Sequence, residues 1–180
     1  AVAKSGGSQV LIHAGQHKDD AMGSDFLTEL EVSPPDHRLS PSQKSRSHRL
    51  ADMMSGIAEH LEAERPNFVL VYGDTDSTLA GALAAHHAGI PLVHVEAGLR
   101  SGDLAMPEEH IRIMVDQLSD FCVTTGPGAT TQLLKEGKRP EQVLEAGDVM
   151  LDVALAAREV AQDRQPPQWP SARGPVLMVT

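Results

Sequence analysis

The fold is indicated most clearly by residues 67–98, NFVLVYGDTDSTLAGALAAHHAGIPLVHVEAG. Its two apolar runs, NFVLVYG and IPLVHVEAG, predict buried strands. The segment between them opens with good helix-capping residues, Thr75, Asp76 and Ser77, and closes on Gly89. A strand, a helix and a second strand in this order predict a βαβ unit, in which the two strands are parallel.

The same alternation continues towards the N-terminus. QVLIHAG (9–15) predicts a strand, residues 23–31 predict a helix, and residues 32–47 predict a polar loop. From Ser47 to about Glu64 the apolar residues fall on one helical face: Leu50, Met53, Met54, Ile57, Ala58 and Leu61. Pro66 is expected to stop this helix.

It also continues towards the C-terminus. A helix is predicted to start near Pro107. After it, DFCVTT and QVLEAG predict strands, whereas GPGATTQLLKEG and DVMLDVALAAREVAQ predict helices. A proline-rich hinge, residues 163–175, precedes a last predicted strand, VLMVT. We therefore predict an α/β fold with a doubly wound parallel sheet.

Composition narrows the class of protein. The net charge is −10, and the 15 Lys and Arg residues are scattered, which argues against nucleic acid as a partner but leaves room for a nucleotide. No apolar run is long enough for a membrane span, and the N-terminal residues do not resemble a secretory signal. The single cysteine, Cys122, is interpreted as a buried thiol. From these features we predict a cytoplasmic protein.

Acidic residues stand at the ends of two neighbouring predicted strands. Asp74 follows NFVLVYG directly, and Glu96 ends the run LVHVE. Ligands of parallel α/β sheets bind beyond the carboxyl ends of the strands. Asp74 alone would be explained as a helix cap. Two carboxylates brought towards one crevice repel each other, however, and a fold gains nothing from that repulsion, so the pattern favours function.

A second acidic feature opens the helix that follows LRSGDLAMP. Glu108 and Glu109 lie beside the positive end of the helix dipole, where one acid is enough for stabilisation. Arg112 is spaced to neutralise one of them. We expect the other glutamate to face the crevice that Asp74 and Glu96 line.

Histidines and glycines exclude several kinds of site. His86 and His87 are predicted to lie on a helix, where the pattern favours a surface or packing role over a ligand role. His17 is well placed for function, and His94 is left open between core and site. The sequence has no HExxH or HxH spacing, no cysteine pair, no Walker A motif and no GxGxxG after a strand. We therefore predict neither a zinc site nor a dehydrogenase.

Several motifs together resemble one enzyme family. The run VYGDTDSTLAGALAAHHAGIPLVHVEAGLRSGD, then MPEEHIR and GDVMLD, is similar to the non-hydrolysing UDP-N-acetylglucosamine 2-epimerases. GQHKDDAM and SPPDH, nearer the N-terminus, resemble the first turns of the same family. The similarity covers roughly residues 9–160 in the family's order and spacing.

The resemblance implies a Rossmann-like half of a two-domain GT-B-type enzyme. It implies that C2 of a UDP-linked N-acetyl sugar is inverted by elimination and re-addition of UDP, without a cofactor or a metal, in a homodimer. The family's catalytic acids fall on Asp74, Glu96 and Glu108. Within these motifs we predict four substrate-binding residues: Gln16, His17, Arg100 and Arg112. Arg112 matches the arginine of the family's PEE helix, and Gln16 matches a glutamine that serves an allosteric UDP-GlcNAc site in bacterial members.

The resemblance also predicts the domain organisation. Residues 1–162 would form the Rossmann-like N-terminal domain, and residues 163–180 the hinge and first strand of a UDP-binding domain. The family's first strand and its GTRPE-type loop have no counterpart here, and its HR-containing segment would follow VLMVT. We therefore expect these 180 residues alone to be inactive.

Three alternatives stay open at the level of sequence. A hydrolysing 2-epimerase would release UDP and N-acetylmannosamine. A relative acting on a UDP-diacetamido-glucuronate is suggested by the GDTDST and GDVM variants. A GT-B-like domain that only binds or transfers a sugar nucleotide belongs to a different class, and such a domain has no need of three clustered carboxylates.

Overall fold

The structure, a computed structural model, describes residues 6–15, 33–42 and 44–162. The strands in these residues are β1 (Ile12–His13), β2 (His37–Arg38), β3 (Val69–Tyr72), β4 (Leu92–Ala97), β5 (Phe121–Thr124) and β6 (Val143–Glu145). The α-helices are α1 (Arg46–Glu64), α2 (Asp76–Ala88), α3 (Pro107–Leu118), α4 (Pro127–Lys135) and α5 (Val149–Gln162). Every strand pair is parallel, which confirms the α/β prediction.

The strands form two sheets. One has the order β3-β4-β5-β6, so its strands lie side by side in sequence order with a helix between successive strands. The other is the pair β1-β2, in which Ile12 lies opposite His37. Three side chains of this smaller sheet and its flanks, Ile12, Ala14 and Leu39, pack against the main core. The carboxyl ends of β3 to β6 meet at one edge, where the sequence predicts the site.

Helix α2 lies at the centre of the core. Its alanines are almost free of solvent: Ala80, Ala82, Ala84 and Ala85 are at most 2% exposed. Because these side chains are small, α1 and α3 approach α2 closely and the three helices form one layer. Helix α1 contributes Met53, Ile57 and Leu61 to the core, as its apolar face predicts.

The ends of the helices follow the predicted signals. Thr75 caps α2 through reciprocal bonds with Thr78, and Gly89 ends the helix in a left-handed conformation. Pro107 is the first residue of α3. Helix α1 ends at Glu64, with Arg65 in a left-handed conformation just before Pro66.

Two predictions near the N-terminus differ from the structure. The predicted polar loop, residues 32–47, contains β2, and the predicted strand 9–15 is reduced to Ile12–His13. Neither half of this ladder has a long apolar run, and its two residue pairs form only because the chain folds back over the core. The predicted helix 23–31, the hinge and the strand VLMVT lie outside the described residues.

The chain divides into two compact units, residues 1–148 and residues 149–180. Helix α5 is the described part of the second unit. The predicted domain boundary after residue 162 stays a prediction. Among the described residues, no helix is both long enough and apolar enough to cross a bilayer.

Candidate active site

The predicted acids lie where β3, β4 and α3 meet. Asp74 follows the end of β3 by two residues, and Glu96 is the penultimate residue of the neighbouring β4. A Cβ built on Gly73 would lie 3.8 Å from Glu96 Oε2, so this carboxylate lies beside the turn that carries Asp74. Glu108 is the second residue of α3. All three acids are partly buried.

Arg112 of α3 joins two of these elements. Its Nη2 forms an ion pair with Oδ2 of Asp74, and its Nη1 lies 3.9 Å from Oε2 of Glu109. The expectation that clustered acids bring the fold no gain therefore needs correction, because an arginine among them offsets part of the repulsion. The ion pair also ties the β3 turn to α3.

The two adjacent glutamates of α3 have different surroundings. Glu109 is only 2% exposed, and its carboxylate accepts hydrogen bonds from the Ser101 N–H at 2.8 Å, the Ser101 hydroxyl at 3.0 Å and the Gly102 N–H at 3.0 Å. The Ser101 backbone bond is the largest cause that lowers the Glu109 pKa. Glu109 thus anchors the preceding loop. Glu108 is the glutamate that is left more exposed.

The structure adds an ion pair that the sequence did not indicate. The guanidinium of Arg46, at the start of α1, binds Asp76 at the start of α2, with Nη2–Oδ1 at 2.6 Å and Nε–Oδ2 at 2.9 Å. This hydrogen bonding raises the Arg46 pKa, and the nearby charge of Glu108 adds to the effect. The partners are 30 residues apart, so no local pattern joins them.

Glu96 has a strained backbone. Its φ is 69°, in the left-handed region that residues other than glycine rarely adopt. The register between β4 and β5 shifts between Val95 and Ala97, so Glu96 is the extra residue of a bulge. Such strain costs about 1–2 kcal/mol. It persists only where the surroundings impose it, often at functional sites.

A buried polar network lies beneath these acids. His94 of β4 and Asp116 of α3 are both fully buried, with Nδ1 and Oδ1 2.6 Å apart. Asp116 Oδ2 accepts from the Gly98 N–H at 3.1 Å and from Arg100 Nη2 at 2.7 Å. His94 Nε2 lies 2.8 Å from the Gly73 carbonyl oxygen. His94 is therefore a core residue that contacts the turn carrying Asp74, and its partner Asp116 contacts the turn that follows Glu96.

Arg100, a predicted substrate-binding residue, is largely occupied by protein groups. Besides Asp116, its guanidinium binds Glu136, the residue that follows α4, through Nε at 3.0 Å and Nη2 at 2.6 Å. Its Nη1 donates to the Leu99 carbonyl at 2.7 Å. Gln16 and His17 lie outside the described residues. Substrate binding at these three positions stays a prediction.

Cysteine and the surface histidines have the surroundings expected from the sequence. Cys122 is fully buried, and desolvation raises the pKa of its thiol to about 12. A thiol with this pKa is inert as a nucleophile near neutral pH. His86 and His87 are exposed on α2. The predicted burial of Cys122 and the predicted helical position of His86 and His87 are confirmed.

Comparisons with known proteins agree on one family. The family model described as UDP-N-acetylglucosamine 2-epimerase matches residues 1–180. A UDP-N-acetylglucosamine 2-epimerase homolog of Methanococcus maripaludis is 40% identical over 156 residues, which are 87% of this chain and 43% of that protein. A UDP-2,3-diacetamido-2,3-dideoxy-D-glucuronate 2-epimerase of Pseudomonas aeruginosa is 41% identical over 150 residues, 82% of this chain and 42% of that protein.

A solved structure has the same fold. The UDP-GlcNAc 2-epimerase of Methanocaldococcus jannaschii, in complex with UDP-GlcNAc and UDP, superposes with a TM-score of 0.88 at 33% identity. The match covers 92% of this chain and 46% of that one, so the chain spans less than half the length of the relatives it matches. Since the family model matches throughout, the chain belongs to the UDP-N-acetylglucosamine 2-epimerase family.

Proposed function

We propose that the full-length protein is a non-hydrolysing UDP-N-acetylglucosamine 2-epimerase, which converts UDP-GlcNAc to UDP-ManNAc by eliminating UDP and adding it back. The observation that carries the proposal is the meeting of Asp74, Glu96 and α3, with Glu108 at its start, at the carboxyl edge of a parallel sheet. Family membership and the likeness to an epimerase that binds UDP-GlcNAc support it.

The chemistry explains why several carboxylates are needed. The C2 proton has no adjacent carbonyl and is weakly acidic. Cleavage of the C1–O bond must therefore run ahead of removal of this proton, and positive charge develops on the sugar. Carboxylates stabilise that charge electrostatically. One acid then accepts the C2 proton and another delivers a proton to the opposite face. We assign these tasks jointly to Asp74, Glu96 and Glu108.

The arginines take different parts in this proposal. Arg112 is 24% exposed and paired with Asp74, so it is suited to hold the Asp74 carboxylate and to meet an anionic substrate. Arg100 is 11% exposed and bound to two carboxylates. Its contacts favour holding the Glu96 loop against α3 and α4, with any contact to substrate made by its remaining N–H. Gln16 and His17 complete the proposed substrate-binding set by resemblance.

The deciding experiment follows the C2 proton. Full-length protein is incubated with UDP-GlcNAc in deuterated water, and the sugar is observed by proton NMR. We expect deuterium at C2 with UDP still attached and UDP-ManNAc appearing. Free N-acetylmannosamine would identify a hydrolysing enzyme, and no exchange at C2 would exclude both reactions.

Replacing Glu96 with Gln tests the acid itself. We expect Glu96→Gln to lower the exchange rate by about 100-fold or more, because a neutral amide neither takes up the proton nor stabilises positive charge. Glu59→Gln, on the exposed face of α1, is the matched control and should exchange at the original rate. Full activity of the Glu96 variant would remove Glu96 from the proposed mechanism.

A second candidate substrate is a UDP-diacetamido-glucuronate. It is favoured by the 41% identity to the Pseudomonas aeruginosa enzyme that is named for this sugar. The same NMR assay with that substrate decides between the two sugars. The preferred sugar will exchange its C2 proton with the higher kcat/KM.

The remaining parts of the proposal rest on the sequence and the resemblance. We propose a homodimer located in the cytoplasm, with no cofactor and a UDP-sugar as the ligand. Residues 1–162 are proposed as a Rossmann-like domain and residues 163–180 as the hinge and first strand of a UDP-binding domain. Sedimentation of the full-length protein measures the oligomeric state.

A further inference from the structure

The pair His94 and Asp116 is buried completely, and both residues sit on the elements that present the proposed acids. The Nε2 atom of His94 lies 2.8 Å from the Gly73 carbonyl oxygen. A carbonyl oxygen only accepts hydrogen bonds, so Nε2 must carry a proton. This bond ties β4 to the turn that carries Asp74.

The other ring nitrogen faces a carboxylate. Nδ1 lies 2.6 Å from Asp116 Oδ1, while Oδ2 accepts from the Gly98 N–H and from the Arg100 guanidinium. A backbone donor and a guanidinium both stabilise the ionised form of Asp116. An ionised carboxylate only accepts, so Nδ1 also carries a proton.

We propose that His94 is held as an imidazolium and that it acts with Asp116 as a positioning pair for the proposed acids. The proposal rests on the function assigned above. His94 fixes Gly73, the residue before Asp74, and Asp116 fixes Gly98, two residues after Glu96. The pair therefore holds the two turns in one mutual arrangement without touching the substrate.

The positioning pair helps to maintain the strained backbone of Glu96. A left-handed φ at a residue other than glycine persists only where its neighbours over-determine it. Before Glu96, the β4 backbone and the His94 ring are fixed, and after it, the Asp116 carboxylate holds the Gly98 N–H. Asp116 is itself held by Arg100, which also binds Glu136 just after the end of α4.

Stability alone does not explain why His94 and Asp116 form an ion pair in the core. A buried ion pair pays a large desolvation penalty, and apolar residues of similar volume often replace such pairs at no loss of stability. A ring with two directed N–H donors fixes the orientation of both turns, which apolar packing does not do. Small errors in the placement of catalytic groups cost on the order of 100-fold in rate.

The kinetic test uses two substitutions, each of which is expected to keep one of the two hydrogen bonds that the His94 ring makes. In the full-length protein, the amide of His94→Gln is expected to reach the Gly73 carbonyl, whereas the shorter amide of His94→Asn is expected to reach only Asp116. We expect His94→Asn to lower kcat for C2 exchange by on the order of 10- to 100-fold with KM unchanged. His94→Gln should recover part of that loss, and His86→Gln on the surface should change nothing.

The protonation state is measured separately on the unmodified protein. Histidine labelled with nitrogen-15 should give protons on both ring nitrogens of His94, with the signal assigned through its backbone connectivity. A ring with one proton would overturn the inference, whether or not the variants fold. Equal kcat losses in both variants, or a rise in KM alone, would also overturn it. A wild-type protein that shows no exchange would defeat the proposed function, while the spectrum would still decide the state of His94.

Discussion

At the scale of single residues, Glu96 combines a proposed chemical task with an unfavourable backbone. Its left-handed φ of 69° costs a residue with a Cβ about 1–2 kcal/mol, and glycine avoids most of this cost. We expect Glu96→Gly to be more stable than Glu96→Ala by about 1 kcal/mol, although both lose activity. Thermal unfolding of the two full-length variants measures the difference.

Glu59 provides a control position, where the Gly variant is expected to be the less stable of the two. Glu59 is exposed in the middle of α1, where glycine is about 1 kcal/mol less favourable than alanine. Glu59→Gly should therefore be less stable than Glu59→Ala. If Glu96→Gly were also less stable than Glu96→Ala, the backbone strain at Glu96 would be absent in solution.

Adjacent residues Glu108 and Glu109 separate function from stability. The lowered pKa of Glu109 means that its ionised form stabilises the fold. This stabilisation is complete above the ordinary value of 4.5 and is lost as the pH falls through the lower folded-state pKa. We expect Glu109→Gln to destabilise by about 1–2 kcal/mol at pH 7, and the difference from wild type to shrink below about pH 4.5.

Denaturant unfolding at several pH values measures this dependence. Glu108→Gln is the matched variant, and it should leave stability nearly unchanged while it abolishes C2 exchange. A pH-independent loss in Glu109→Gln would show that the carboxylate charge does not anchor the loop.

At the scale of elements, Gly98 sets how closely α4 approaches the end of β4. A Cβ at this position would lie 2.5 Å from the Ala129 carbonyl oxygen and 3.0 Å from Leu133 Cγ, and φ is +81°. Gly98→Ala therefore combines a clash with backbone strain, and we expect it to destabilise by about 2–5 kcal/mol. Thermal unfolding gives the loss.

Gly102 separates the two effects. Its φ is +74°, but a Cβ there would meet nothing within 4 Å, so Gly102→Ala should cost only the backbone strain of about 1 kcal/mol. Equal losses at the two positions would mean that α4 shifts freely and that the close approach contributes nothing.

The elements themselves were predictable to different degrees. Helix α2 was predicted with its caps because Thr75, Asp76 and Gly89 act locally, and the apolar face of α1 repeats over several turns. Strand β2 was missed because two residues carry no periodic signal. Its position depends on pairing with β1, about 25 residues earlier in the chain.

At the scale of the whole molecule, activity is expected to need more than residues 1–180. The resemblance assigns the nucleotide to a second domain, and this chain spans less than half the length of its relatives. We expect these 180 residues alone to give no C2 exchange with UDP-GlcNAc in deuterated water. Full-length protein in a parallel sample is the positive control, and exchange by the shorter chain would contradict the prediction.

The amino-acid sequence is enough to predict the class of fold, the order of most elements and the positions of the three proposed acids. These features depend on local patterns: apolar runs, helix caps, and acids placed directly after strands. The family also followed from the sequence, because several motifs occur together in the right order.

The contacts that surround the acids could not be predicted in this way. The pairing of Arg46 with Asp76, the burial of Glu109 and the contacts from His94 and Asp116 join residues far apart in sequence or distinguish neighbours with the same charge. The left-handed conformation of Glu96 is likewise not predictable, because this position is not a glycine and no turn motif indicates a positive φ there. These features depend on which groups meet in three dimensions, and that is determined by the packing of strands and helices as a whole.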